Sequence, residues 1–139
     1  MTKNIVLIGG CFDILHIGHI KFLKKSKSFG NYLVVLLEPD ENIKKTKGDK
    51  RPIFKLKERK ETLESLKFVN KVVIVPKYAN HETYDRLVSK IKPNIIAITE
   101  DDPIKDKKSI QAKSVGAKLK IVKKYKSLSS TKISNFLGF

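Results

Sequence analysis

The stretch GGCFDILHIGH, residues 9–19, follows an apolar run at residues 5–8 and leads directly into a segment with helical composition. This order predicts a strand, a glycine turn and the start of a helix. The first N–H groups of a helix lack partners and lie at the positive end of its dipole, so the turn predicts a phosphate-binding place. His16 and His19 are three positions apart, and both imidazoles are expected to face the same anion and donate to its oxygens.

Other interpretations of this stretch have to be weighed. The glycines alone are compatible with an ordinary strand-to-helix connection whose histidines lie on the surface without a role. Cys11, His16 and His19 are all chemically suited to bind zinc, although no further Cys or His lies nearby and the spacing matches no common zinc pattern. A dinucleotide-binding or P-loop is excluded, because neither G-x-G-x-x-G nor G-x-x-x-x-G-K-[ST] occurs here.

Length and composition predict one domain, spanning residues 1–139, of ordinary globular character with 40% hydrophobic and 32% charged residues. The longest apolar runs, such as residues 33–37, are too short to span a bilayer, and the first residues do not have the pattern of a secretory signal. Cys11 is the single cysteine, which excludes an internal disulfide and fits a reducing compartment. We therefore expect a cytoplasmic protein that does not associate with membranes.

The chain is strongly basic, with 30 Lys and Arg against 14 Asp and Glu and a formal net charge of +16. Such a field attracts nucleotides, nucleic acid and acidic membranes alike, so charge alone does not identify the partner. A non-catalytic nucleic-acid-binding module is therefore an alternative of another class. The sequence has no Trp, and its lysines are not concentrated in one helix, so we expect no specific nucleic-acid partner.

Apolar strands alternate with helical patterns along the whole chain. The predicted strands are residues 4–9, 31–37, 71–75, 94–99 and 118–122. The predicted helices are residues 17–29, 55–68, 105–115 and 131–137, and a helix that Asn80 caps and that ends near residue 91. Gly30 is expected at C′ of the helix at residues 17–29, and Gly116 is expected to end the helix at residues 105–115. Residues 40–52 are predicted to be a long loop or a short helix.

Each parallel crossover needs a connection of helical length, so five alternations predict an α/β fold of one particular kind. It is a single Rossmann-like, doubly wound, five-stranded parallel sheet with helices on both faces. Ligands of such sheets bind beyond the carboxyl ends of the strands, where the winding direction reverses. The first strand ends in the glycine turn, so we expect it beside that crevice, with the segments after the second, fourth and fifth strands converging on it.

The H-x-G-H core at residues 16–19, with the preceding strand, glycine pair and Phe12-Asp13, resembles the signature of the cytidylyltransferase-like nucleotidyltransferases. This resemblance implies an enzyme that joins a nucleoside monophosphate to a phosphorylated small molecule and releases pyrophosphate. It implies that His16 and His19 are catalytic. The positions that it implies for nucleotide binding in this stretch are Gly10, Cys11, Phe12, Asp13 and Gly18.

The segment KKTKGDKRP, residues 44–52, is similar to the K-x-x-K-G-D-x-R-P loop of family members that nucleotidylate heptose phosphate in lipopolysaccharide core biosynthesis. Lysines on a mobile loop are suited to close over a triphosphate and neutralise its charge. The resemblance implies nucleotide binding by Lys44 and a catalytic role for Lys47. It also makes Arg59 catalytic, since a guanidinium fork recognises phosphate well, whereas the residues alone fit a surface ion pair equally.

The segment KYKSLSSTKI, residues 124–133, is similar to the closing I-S-T-T-K-I element of the family. Ser129, Ser130 and Thr131 precede or begin a predicted helix, and they are expected to bind phosphate, cap the helix, or do both. After the fourth strand the family has glycine followed by acidic residues; this chain has Thr99-Glu100-Asp101-Asp102, and only Asp101 matches as a nucleotide-binding position. Lys124 stands where relatives commonly have arginine.

The substrates implied are ATP or CTP, with Mg²⁺ on the triphosphate and no metal site on the protein, and a sugar phosphate such as heptose 1-phosphate. FAD synthetases and glycerol-3-phosphate cytidylyltransferases have closely similar segments, so those activities are alternatives. A substrate phosphate is already largely ionised and needs no general base, and no Ser–His–Asp triad can be assembled, because His81 lies in a remote polar segment. Asp13 is expected to orient a histidine or hold substrate. Family members often form homodimers, which the residues themselves do not specify.

Overall fold

The computed structural model describes residues 2–126 and 129–139, so residues 127 and 128 of the closing segment lie outside it. The strands in the described residues are β1 Ile5–Gly10, β2 Tyr32–Leu37, β3 Lys71–Ile74, β4 Ile95–Thr99 and β5 Lys118–Val122. The helices are α1 Ile17–Lys27, α2 Asp40–Lys47, α3 Leu56–Glu64, α4 His81–Ile91, α5 Lys105–Ser114 and α6 Ser130–Phe136. None of these helices is both long and apolar enough to cross a membrane.

All five strands are parallel and form one sheet in the order β3-β2-β1-β4-β5. The chain builds outward from β1 through β2 to β3, then returns to the other side of β1 for β4 and β5. The winding direction therefore reverses between β1 and β4, which is where a doubly wound sheet opens a crevice. The predicted α/β fold is confirmed, with the glycine turn at that crevice.

Helices cover both faces of the sheet, which explains why residues 33–37 of β2 are all apolar. On one face Leu23 of α1 and Leu63 of α3 pack in one buried cluster with β1, β2 and β4. On the other face Val88 of α4 and Ala112 of α5 pack in a second cluster with the alternate residues of the same strands. The site consequently lies at the carboxyl ends of strands that have a packed core on either face.

Helix ends show where local signals were right and where they were not. Gly116 follows α5 with φ +71, the left-handed conformation that ends a helix, as predicted. Gly30 was predicted to do the same after α1, and this is wrong, because its φ is not in that region. Glycine is needed there for close approach instead, since a Cβ on Gly30 would lie 2.4 Å from the carbonyl oxygen of Asn4.

Residues 40–52, left between a loop and a short helix by the sequence, begin as helix α2. Ile43 is fully buried and anchors this otherwise polar helix. Gly48 ends it with φ +95, and its N–H donates to the carbonyl oxygen of Lys44 at 2.9 Å. The chain then runs as an irregular segment past Arg51 to α3, directly over the glycine turn.

Candidate active site

Two histidines organise the turn between β1 and α1. The N–H of Gly18 donates to Nδ1 of His16 at 3.1 Å, and the N–H of His16 donates to Nδ1 of His19 at 3.2 Å. A neutral imidazole has one donor and one acceptor nitrogen, and a backbone N–H can only donate, so Nδ1 of each ring is the acceptor. Each ring therefore carries its proton on Nε2, which makes two N–H donors available to a ligand.

The surroundings keep both rings neutral. Burial lowers the pKa of His16 below its ordinary value of 6.5. Burial, the neighbouring His16 ring and the positive charge of Lys47 together lower the pKa of His19 to about 4. The ring centroids lie 4.0 Å apart, so the two donors face one small region of space.

One part of the sequence interpretation changes. The first N–H groups of the helix were expected to be free for phosphate, but Nδ1 of His16 accepts that of Gly18, and Nδ1 of His19 accepts the N–H of His16 just before the helix. The donors that the two histidines add at this turn are side-chain Nε2–H groups.

Gly10 and Phe12 shape the turn sterically. Phe12 has φ +47, and its buried ring packs beside His19 with centroids 5.3 Å apart. A Cβ on Gly10 would lie only 2.8 Å from a ring carbon of Phe12, so glycine is required for the ring to lie there. Burial raises the pKa of the Cys11 thiol, against the opposing charge of Lys47. The nucleotide-binding roles predicted for these three residues stay predictions.

A cavity of about 960 Å³, which we call the histidine cavity, opens between α1 and the segment after β5. His16 and His19 lie in its wall, Thr99 marks the end of β4, and Ser130 lies in it from the start of α6. The complete lining is His16, Gly18, His19, Lys21, Phe22, Lys25, Thr99, residues 121–126, Ser129 and Ser130. The segments after the fourth and fifth strands therefore converge on the glycine turn as predicted.

Asp101 lies exposed just after β4, where Lys124 Nζ donates to its carboxylate at 2.7 Å. That hydrogen bond lowers the pKa of Asp101 below its ordinary value. The sequence singled out both positions without indicating that they pair. Lys124 lines the histidine cavity, so the pair lies at its edge.

Asp13 has partners that the sequence did not indicate. Its carboxylate is 2% exposed and accepts Arg51 Nε at 2.8 Å, Ile53 N at 2.8 Å and Phe54 N at 2.9 Å. Burial alone would raise the pKa of Asp13, but the backbone and Arg51 hydrogen bonds outweigh it and the pKa is lowered. The expectation that Asp13 orients a histidine is wrong, because its oxygens fasten residues 51–54 to the turn. A contact between Asp13 and nucleotide stays a prediction.

Arg51 is the main residue that sequence reasoning missed. Besides Asp13, its guanidinium donates to Thr131 Oγ1 and to Ser130 Oγ, both at 3.3 Å. It thereby joins three segments, namely the histidine turn, its own loop and the start of α6. The only sequence signal was its place in the K-x-x-K-G-D-x-R-P segment, which gave no partner.

Arg59 is buried beneath the site, with 1% of its surface exposed. Its guanidinium donates to the carbonyl oxygens of Phe54 at 2.9 Å, Cys11 at 2.9 Å and Glu38 at 2.7 Å. It also donates to the carboxylate of Asp40 at 2.7 Å. Four N–H groups are thus engaged by the protein, and Arg59 fixes the turn from behind. The predicted direct contact with substrate stays a prediction.

The lysines and hydroxyls that the sequence predicted lie in α2 and at the start of α6, respectively. Lys47 is exposed at the end of α2, and its charge acts on both His19 and Cys11. With Thr131 it lines a second cavity of about 480 Å³, the loop cavity. Lys44 is exposed on α2, one turn earlier. Ser129 caps α6, since its side chain accepts Lys132 N at 3.1 Å, and phosphate binding by this residue stays a prediction.

A third cavity, of about 310 Å³, lies on the opposite face of the sheet between α4 and α5. We call it the glutamate cavity, because Glu38 lies in its wall, above an apolar floor that includes Gly9 and Ile98. The Glu38 carboxylate accepts the hydroxyl of Tyr84, and it accepts Asn42 Nδ2 at 3.0 Å. Burial and the bond to Glu38 raise the pKa of Tyr84. Nothing in the sequence had indicated this cavity.

The carboxylates near the histidines do not form a metal cage. Asp13 is committed to Arg51 and two backbone N–H groups, and Asp40 is paired with Arg59. Within residues 2–126 and 129–139, no group of three or more His, Cys, Asp and Glu side chains is arranged to hold a metal ion. The charged side chains that line the histidine cavity are all lysines, which suit phosphate oxygens rather than a cation.

Comparison with known proteins gives a consistent family. The model of the cytidylyltransferase-like family matches residues 7–136. The bifunctional protein HldE of Aliarcobacter butzleri is 38% identical over 123 residues, 88% of this chain and 24% of that protein. The FAD synthase of Pyrococcus abyssi is 38% identical over 120 residues, 85% of this chain and 78% of that protein. The chain thus spans about a quarter of the length of HldE.

A solved structure agrees. The crystal structure of the lipopolysaccharide core biosynthesis protein from Thermoplasma volcanium superposes with a TM-score of 0.72 and 30% identity, covering 91% of this chain and all of that one. The chain belongs to the cytidylyltransferase-like family. It is a nucleotidyltransferase.

Proposed function

We propose that the protein transfers a nucleoside monophosphate from ATP or CTP to the phosphate of a sugar phosphate of the heptose 1-phosphate type, releasing pyrophosphate. The observation that carries this proposal is the pair of neutral imidazoles. Their Nε2–H donors stand in the wall of a cavity of about 960 Å³ whose other lining groups are mainly lysines and hydroxyls. Such a wall complements a polyphosphate.

The sugar-phosphate acceptor is supported by the K-x-x-K-G-D-x-R-P segment at residues 44–52. It is also supported by the HldE relatives and by the Thermoplasma volcanium structure, which is that of a lipopolysaccharide core biosynthesis protein. The glutamate cavity adds a structural reason. Its Glu38 carboxylate can accept hydrogen bonds from sugar hydroxyls, and Glu38 adjoins the turn through a bond from its N–H to the carbonyl oxygen of Gly10 at 3.1 Å.

The chemistry needs positioning and charge stabilisation more than proton transfer. A phosphate oxygen of the acceptor attacks the α-phosphorus, a new P–O bond forms, and the bond to the β-phosphate oxygen breaks. The leaving pyrophosphate takes the electron pair, and donors from His16, His19 and Lys47 would stabilise the charge that accumulates. Mg²⁺ would arrive with the triphosphate as part of that substrate, and it would supply further neutralisation.

FAD synthesis is the second candidate, and two observations favour it. The match to the Pyrococcus abyssi FAD synthase covers 78% of that protein, whereas the match to HldE covers 24% of HldE. The glutamate cavity also has an apolar floor flanked by Tyr84, which suits a flat ring system such as that of a flavin. Glycerol 3-phosphate is a third acceptor that the histidine turn itself does not distinguish.

A pyrophosphate-release assay tests these candidates together. ATP and CTP are each combined with heptose 1-phosphate, flavin mononucleotide and glycerol 3-phosphate, and the products are identified by mass spectrometry. We expect turnover with heptose 1-phosphate. Turnover only with flavin mononucleotide would replace the proposal by FAD synthesis. No pyrophosphate from any pair, with salt-sensitive binding to unrelated DNA, would favour the nucleic-acid-binding alternative.

A further inference from the structure

Arg51 lies in the wall of the loop cavity and reaches the wall of the histidine cavity through its bond to Ser130 Oγ. It is 4% exposed, and it separates Ser130, which lines the histidine cavity, from Thr131, which lines the loop cavity. Three of the five guanidinium N–H groups have protein acceptors, one on Asp13 and one on each hydroxyl. The partners are 38, 79 and 80 residues away in the chain. One buried side chain thus holds together segments that the sequence keeps far apart.

The direction of these bonds matters for the hydroxyls. A guanidinium has no acceptor atoms, so Arg51 can only donate to Ser130 Oγ and Thr131 Oγ1. A hydroxyl that accepts at one lone pair keeps its own O–H free to donate elsewhere. Without Arg51 each hydroxyl could equally turn its hydrogen toward a protein acceptor. Arg51 therefore orients both hydroxyls as donors toward the cavities.

The histidine turn uses the same arrangement. There, backbone N–H groups occupy Nδ1 of both rings and leave Nε2–H to a ligand. Around Arg51 a protein donor likewise occupies the acceptor side of each hydroxyl, and no acceptor in the part of the chain that the structure describes takes the O–H of either one. Because Asp13 ties Arg51 to the histidine turn through residues 51–54, the two sets of donors are held in one frame.

We propose that Arg51 is a positioning residue that sets the hydroxyls of Ser130 and Thr131 as hydrogen-bond donors to the polyphosphate of the nucleotide. This inference rests on the proposed function, and it has the polyphosphate extend from the histidine cavity, which Ser130 lines, past Arg51 to the loop cavity, which Thr131 lines. Arg51 acts through the hydroxyls and does not itself touch the reacting atoms. A lysine at this position keeps the charge but lacks the planar fork that reaches three acceptors at once.

The test compares four proteins, which are the wild type, Arg51→Lys, Ser130→Ala/Thr131→Val, and the combination of all three changes. We expect Arg51→Lys to lower kcat about a hundredfold, the cost of misplacing bound groups by about 1 Å. Loss of the hydroxyls should lower kcat by about a hundredfold or more. Arg86→Lys, an exposed arginine of α4, is the matched control and should keep the wild-type kcat.

The combined variant shows whether Arg51 acts through the two hydroxyls or independently of them. If Arg51 acts through the hydroxyls, adding Arg51→Lys to the hydroxyl-free protein should change kcat by less than about threefold. If the two losses multiply, to about ten-thousandfold, Arg51 acts independently and the inference is overturned. Thermal unfolding shows whether each protein is folded at the assay temperature.

Two further measurements cover the cases in which the wild type shows no turnover or Arg51→Lys does not fold. Should the wild type give no turnover with any substrate pair, the proposed function fails. The affinities of the same four proteins for ATP and CTP, measured by calorimetry, then decide the inference, because the affinity losses from Arg51→Lys and from removal of the hydroxyls should again be non-additive. Should Arg51→Lys not fold, Thr131→Val is compared with Thr131→Ser at that exposed position. Equal kcat for both would mean that the hydroxyl is not a used donor, and the inference fails.

Discussion

At the scale of single residues, the site depends on which side of each polar group the protein occupies. His16 and His19 receive backbone N–H groups at Nδ1 and so present Nε2–H. Ser130 and Thr131 receive Arg51 and so present their O–H groups. Donors that the protein orients before any ligand binds lower the reorganisation that a highly charged transition state requires.

Changing His16 to asparagine separates the ring from the helix cap. Asparagine is a favoured N-cap whose side-chain oxygen can accept Gly18 N, so the unfolding free energy should change by less than about 1 kcal/mol. The Nε2–H donor is lost, and kcat should fall about a hundredfold. Turnover and urea unfolding measure the two effects. His16→Ala is the control, because it loses the donor and also about 1 kcal/mol of capping. A wild-type kcat in His16→Asn would remove His16 from catalysis.

The depressed pKa of His19 makes stability depend on pH in one direction. The pKa is about 4 in the folded protein and 6.5 ordinarily, so the unfolded chain binds the proton more readily. The contribution of His19 to the free energy of unfolding should be complete above pH 6.5, and it should be lost as pH falls toward about 4. Urea unfolding between these pH values measures it. His19→Asn should show a shallower decline, and equal slopes for both proteins would contradict the neutral ring.

At this scale the sequence predicted the donors but not what orients them. The histidine pair is local and was visible in the H-x-G-H core. The bonds of Arg51 to Asp13 and to the start of α6 join residues 38 to 80 positions apart, and no periodicity or spacing reports such contacts. For the same reason the sequence did not indicate that the Arg59 guanidinium lies behind the turn, where it donates to three carbonyl oxygens.

At the scale of elements, most bounds predicted from local signals were accurate, but Gly30 does not end α1 as predicted, and α3 ends at Glu64 rather than at residue 68. Asn80 caps α4, and that helix ends at Ile91 as predicted. Strand β5 has the predicted bounds, β1 is shifted by one residue, and β2, β3 and β4 are each one residue shorter than predicted. The polar segment at residues 40–52 was ambiguous, because α2 is anchored by the single buried residue Ile43 and shows no repeated apolar face.

The two glycines at the end of β1 should respond differently to alanine. In Gly10→Ala the new Cβ would meet the buried ring of Phe12 at 2.8 Å, so we expect a loss of about 1–3 kcal/mol in unfolding free energy. In Gly9→Ala the nearest atoms lie at 3.7 Å, an ordinary contact, and the loss should be smaller. Urea unfolding of both variants measures the difference. Equal losses would mean that the Phe12 ring does not determine the turn.

At the scale of the whole molecule, fold class and winding followed from the alternation of strands and helices. The sheet reverses direction between β1 and β4, where the glycine turn was expected. The cavities could not be predicted, because their shape depends on how α1, α4, α5 and the segment after β5 are spaced across the sheet. Cytoplasmic location and homodimer formation stay predictions.

The net charge of +16 predicts how substrate capture depends on salt. Long-range attraction of a triphosphate weakens as the Debye length shrinks from about 10 Å at 0.1 M to about 3 Å at 1 M salt. Raising salt should therefore increase the KM for the nucleotide and leave kcat nearly unchanged, which steady-state kinetics measures. An equal series in sucrose controls for viscosity. A fall in kcat with constant KM would contradict electrostatic steering.

The position of β1 between β2 and β4 has a consequence for synthesis of the protein. β1 meets β2 after about thirty residues of chain, whereas its other neighbour begins only at Ile95. While the polypeptide is growing on the ribosome, one side of β1 consequently has no partner until two thirds of the chain has emerged. An apolar strand with an unpaired edge recruits other chains. Chaperone dependence of this protein should thus be greatest before β4 is translated, long before its catalytic groups come together.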